Sequence, residues 1–214
     1  MTPHFVTFRN NILTLVIWFS IALGFSQGDK STIKAQFALG VNSPSSSGFV
    51  QDFEAKSINF PTVNLGIQYM FKPSFGAKLD YSFNRISNDE KTAQDFKLNY
   101  SRINLQGVLD LSRTLYISNR VGTFLHAGPG FSFVTPLGNF PENKTSFFNA
   151  MAGLELHYGI SDKLTLYLDT SYILGFAEDF DPISSGFGSF NGDVLTVTIG
   201  ASISLSGCYY CEKK

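Results

Sequence analysis

The chain is 214 residues long and carries 16 Lys and Arg against 17 Asp and Glu, for a formal charge of -1. That balance excludes the basic surface a nucleic-acid partner requires, and the length favours a single domain. Charged residues stop at 15% while aromatics reach 15%, led by 22 Phe, so the chain is poorer in charge than an ordinary soluble domain.

The first 26 residues read as a secretory signal peptide. Arg9 supplies the positive segment, Ile12 to Phe25 is the apolar core, and Gly24 and Ser26 put small residues before a cleavage point at Gln27. The apolar core is too short to span a bilayer, which needs about 20 residues. Residues 27–205 then form one body, and residues 206–214 a short periplasmic tail.

From Ile33 onward the hydrophobic pattern has a period of two, the signature of β-strands whose successive side chains face opposite ways. Strand one, Ile33 to Asn42, sets Ile33, Ala35, Phe37, Leu39 and Val41 against Lys34, Gln36 and Asn42. A Ser-, Gly- and Pro-containing loop runs through about Phe60. Strand two follows from Thr62 to Phe71, and Lys72-Pro73-Ser74 turns it into strand three, where Leu79, Tyr81 and Phe83 oppose Lys78, Asp80 and Asn84. The connection from Ile86 to Asp95 is polar and charged.

Strand four, Phe96 to Leu111, changes phase. Phe96, Leu98 and Tyr100 are even, whereas Ile103, Leu105 and Leu109 are odd. A β-bulge near Ser101-Arg102 is the expected remedy, since one extra residue swaps the faces. Ser112 to Thr114 is a short turn. Strand five takes Ile117, Val121, Leu125, Phe131 and Phe133 against Arg120 and His126, with Pro129 marking where membrane pairing is expected to end. A loop from Val134 to Thr145 precedes the clearest stretch, SFFNAMAGLELHYGISDKLTLYLDTSYILGF, two long alternating runs around Gly159 to Asp162. After a Gly/Ser/Asp-rich loop from Ala177 to Gly192, strand eight runs from Asp193 to Leu205.

Eight strands joined by connections that alternate long and short give the pattern of an up-and-down transmembrane β-barrel, with short periplasmic turns and longer outer loops. A bilayer admits only helices or closed barrels, because an open edge leaves backbone groups unpaired. The fold class is therefore all-β, an eight-stranded antiparallel barrel. Aliphatic residues mid-strand and aromatic residues towards the ends mark the outward face, and the opposite face is expected to fill the lumen. There Lys34, Lys78, Arg102 and Arg120 are set against Asp80, Asp110, Glu155 and Asp169, a network that plugs a cylinder only wide enough for side chains.

The signal, the eight alternating strands and segments such as AGLELHYGISDKLTLYLDTSY resemble the small outer-membrane β-barrel proteins of Gram-negative bacteria, the OmpA/OmpX-type barrels and the porin-family or PorT-like proteins. The likeness covers Ile33 to Leu205. It implies a place in the outer membrane among lipid and lipopolysaccharide, and insertion by the barrel-assembly machinery. Such barrels commonly end on an aromatic residue of the last strand, whereas Ser206 to Lys214 continue past it here.

Chemistry is sparse. Cys208 and Cys211 have the spacing of a redox or metal pair, but a structural metal wants four ligands and no second pair exists. A local disulfide or an inert tail is expected. His126, His157 and Glu155, with Ser171 or Ser202 as nucleophile, are the residues a lipid A-modifying enzyme would use, and strands alone do not bring them together. Two glycosylation sequons, at Asn99 and Asn143, and the Gly186-Phe-Gly188 loop carry no function. The expectation is a non-enzymatic barrel without cofactor or metal, acting structurally or by adhesion through four outer loops to an unidentified extracellular partner. A narrow passive channel, a lipid A-modifying enzyme and a soluble ligand-binding barrel are the alternatives.

Overall fold

The computed structural model describes residues 33–207. The signal segment and the Cys208/Cys211 pair lie outside them. Eight strands, β1 (Ile33–Pro44), β2 (Asn59–Lys72), β3 (Phe75–Ser87), β4 (Lys97–Asp110), β5 (Val121–Leu137), β6 (Thr145–Gly159), β7 (Leu164–Phe176) and β8 (Val194–Ser204), follow one another in chain order. Every neighbouring pair is antiparallel, and β1 closes on β8 to complete the barrel. No sheet edge is left, which is the condition for crossing hydrocarbon on strands.

The alternation sorts side chains as the period of two requires. Leu79, Leu105, Leu166 and Ile199 face outward and are exposed, while Lys78, Gln106, Thr165 and Thr198 beside them are buried. A soluble barrel would have the reverse: an apolar core and charges in water. The outward surface therefore suits lipid, with aliphatic residues mid-strand and Tyr69, Phe71 and Phe75 clustered near the 73–74 turn.

Three features differ from the sequence expectations. The phase change in β4 is not a bulge: its register runs unbroken along β3 and β5, with even residues inside throughout. Phe96, Leu98 and Tyr100 are apolar because the lumen itself turns apolar towards the outer loops. The register shifts lie instead in the β1–β2 and β2–β3 pairings, at Gly40/Asn42 and Met70/Lys72. Pairing also does not stop at Pro129. The residue sits opposite Ala150 in a continuous ladder with β6, and the β4 register is the same on either side of it. Finally, β5 begins at Val121, so residues 111–120 form a longer turn in which Ile117 and Arg120 are exposed.

Beneath the outer loops (residues 45–58, 88–96, 138–144 and 177–193) lies an apolar cluster. Ile86, Leu98, Tyr100, Val134, Phe147, Met151 and Ile173 come from the strands, and Phe53, Phe96 and Phe190 fold in from the loops. Phe53 stacks on Phe187 at 5.5 Å and meets Phe96 and Phe140, each at 5.6 Å. One ring from the first loop thus touches one from each of the other three. Seven of the 22 phenylalanines belong to this cap.

Candidate functional site

Below the cap the lumen is polar. Lys34, Lys78, Arg102, Asp80, Glu155 and Asp169 are all buried within it, three charges of each sign. Asp110 is half-buried at the turn end of β4, where its carboxylate accepts the Ser112 amide at 2.8 Å. Arg120 does not join them. Reading strand five back to Ile117 placed it inside, but it precedes β5 and faces solvent.

Glu155 is the hub. Lys78 Nζ donates to its Oε1 at 2.5 Å, while Gln36 Nε2 and His157 Nε2 reach its Oε2 at 3.1 and 2.6 Å. The His157 ring is fixed by stacking on Tyr167 at 4.9 Å and by the edge of Phe124, also at 4.9 Å. Lys34 lies 4.8 Å over the Phe124 ring, a cation–π arrangement that holds an ammonium against an apolar floor of Met70, Val108 and Phe124. Three strands, β1, β3 and β6, therefore meet at one carboxylate, and the cost of burying it is offset only while those partners stay in place.

A second chain runs beside the first. Gln106 donates its amide to Asp80, and its carbonyl meets His126 Nδ1 at 2.5 Å. His126 Nε2 faces Asp169 Oδ1 at 3.5 Å, and Ser171 Oγ donates to the same oxygen at 2.5 Å. Towards the cap, Asn104, Asn149, Ser132 and Tyr100 continue in a file of neutral hydrogen bonds of 2.6 to 2.8 Å. Arg102 is fully buried, and its three guanidinium nitrogens have no hydrogen-bond partner among the described residues.

The candidate catalytic groups are thus brought together only in part. His126, Asp169 and Ser171 form one cluster, and His157 and Glu155 another. Ser202 is buried, and its hydroxyl has no hydrogen-bond partner among the described residues. Sequence reasoning missed Gln36, which donates to Glu155, and Gln106, which joins Asp80 to His126. Their inward parity was legible, but their partners depend on how the strands stagger around the barrel.

No protein-family model and no curated protein matches the sequence. Solved structures do. Neisserial surface protein A has a TM-score of 0.52 at 14% identity, over 81% of this chain and 96% of that one. Ail, the attachment invasion locus protein of Yersinia pestis, solved with the heparin analogue sucrose octasulfate, gives 0.47 at 16% identity over 81% and 96%. The outer membrane enzyme PagL gives 0.41 at 11% identity over 79% and 99%. At such identities the likeness concerns architecture, and a shared architecture carries no activity with it. By fold, the chain is a closed eight-stranded β-barrel of the architecture seen in small outer-membrane proteins.

Proposed function

We propose that this barrel is a closed, non-enzymatic outer-membrane protein whose outer loops, rather than its lumen, meet partners. The observation that carries this reading is the filling of the cylinder: Lys34 over Phe124 at one level, the Glu155 network above it, and the Phe53–Phe187 stack under the loops. The outward aliphatic band supports contact with outer-membrane lipid and lipopolysaccharide, reached through the barrel-assembly machinery. The burial of His126, Asp169 and Ser171 supports the absence of lipid chemistry, since a substrate acyl chain outside the barrel does not reach them.

Planar-bilayer recording tests the closed lumen directly. The refolded barrel is expected to give no sustained open-state current, and a steady ohmic conductance would replace this reading with a passive channel. Mass analysis of lipid A after incubation with the barrel tests the second half, where a changed acyl pattern would make the protein an enzyme.

A further inference from the structure

We propose that His126, Glu155 and Asp169 form a binding site for one divalent transition-metal ion of the zinc class in mid-lumen, although the sequence alone pointed to no metal. The three residues stand on successive strands β5, β6 and β7. His126 pairs with Gly153, two residues before Glu155, and Glu155 pairs with Asp169. One ligand atom from each lies within 4.8 Å of the others, and all three side chains are buried.

The imidazole is held in the state a metal needs. Gln106 donates through its amide nitrogen to Asp80, so its carbonyl is fixed as the acceptor facing His126 Nδ1. Nδ1 therefore carries the ring proton, and Nε2 presents a lone pair. Nε2 has no hydrogen-bond partner among the described residues, on a side chain 1% exposed. What it faces, 3.5 Å away, is Asp169 Oδ1, another acceptor. A lone pair and a carboxylate oxygen held face to face repel unless a proton on Nε2 or a metal ion sits between them. Two ligand atoms about 2.0–2.2 Å from a tetrahedral zinc are themselves roughly 3.4 Å apart, close to the separation found here.

The surroundings fit as well. Ser171 holds Asp169 by a 2.5 Å bond, an orienting contact of the kind metal-bound carboxylates have. Glu155 has three of its roughly four acceptor positions taken by Lys78, Gln36 and His157, which leaves one. Residue 153 is glycine, and a Cβ there would lie 2.6 Å from His126 Nε2 and overlap Ser171 Oγ; the glycine lets both side chains pack closely over the backbone at this point. One nitrogen and two carboxylate oxygens are a borderline-hard set suited to zinc, cobalt or manganese rather than copper(I).

The site is enclosed, so loading belongs to folding. The untagged full chain, refolded in detergent with Zn²⁺ and then desalted, is expected to retain about one ion per barrel by elemental analysis, a single open-site ion of the kind three protein ligands hold. Cobalt loading should give the intense visible bands of a four-coordinate site. His126→Ala and Asp169→Asn should lose the ion. Gln106→Leu, which frees Nδ1, should weaken retention against a competing chelator by about 10–100-fold. A Cys208→Ser/Cys211→Ser chain should keep it. Zinc in the unsubstituted barrel no higher than in a folded His126→Ala barrel, or zinc lost with the cysteines, would overturn the proposal. If His126→Ala does not fold, X-ray absorption of the zinc-loaded barrel decides, and a zinc shell lacking an imidazole would reject the site.

Discussion

Removal of one ring should release four loops. Phe53 is 6% exposed and contacts Phe96, Phe140 and Phe187 from the other three outer loops. Phe53→Ala deletes a buried ring and leaves a cavity, a change that costs about 3–5 kcal/mol, of which each ring–ring contact contributes about 0.5–1.5 kcal/mol. The barrel ladders do not depend on this ring, so the loss should fall on local opening of the loops. At about 1.4 kcal/mol per tenfold, opening becomes at least ~100-fold more frequent. Amide exchange in liposomes reads it out. The amides of Asp89, bonded to Glu54 at 2.7 Å, and of Asn191, bonded to Gly48 at 2.8 Å, tie the first loop to the second and fourth. Both should exchange at least ~100-fold faster, while strand amides such as those of β6 keep their protection. Unchanged exchange at Asp89 and Asn191 in a folded Phe53→Ala barrel would refute the idea that the aromatic cap holds the loops.

Ile199, 67% exposed on β8 between Leu39 and Leu168, should face hydrocarbon. Ile199→Arg should then cost about 2–4 kcal/mol in urea titration of the barrel in liposomes, and an unmoved midpoint would take this face out of the bilayer. Lys78→Met leaves the Glu155 carboxylate without its ammonium and should cost about 3–5 kcal/mol in that titration. Arg120→Ala, on the exposed turn, should stay within about 0.5 kcal/mol; the opposite ranking would mean that the lumen charges are misassigned.

How far the structure could be read beforehand varies along the barrel axis. Mid-strand, the contrast between outward leucines and inward Gln, Thr and Asp is strong, so alternation alone located the strands and their inward faces. Towards the outer loops it fails for a physical reason: the exterior is apolar because of lipid, and the interior is apolar because of the cap. Leu98 and Tyr100 then look like a phase error rather than a second core. Arg120 went astray in the other direction, because Ile117 is apolar and in phase with β5 although the chain there is a turn. For the candidate site, the parity of His126, Glu155 and Asp169 was legible, but their meeting was not. Parity says which face a side chain takes, whereas the level at which residues of neighbouring strands meet depends on the register between those strands.

The aromatic cap also says where foreign sequence can be displayed. Residues 49–55 carry rings into the cap, so a peptide spliced there would unlatch neighbouring loops together with its own. Glu90 and Lys91 stand at an exposed tip and send no ring into the cluster. An epitope grafted between them would project from the loop end of the barrel on an otherwise undisturbed scaffold.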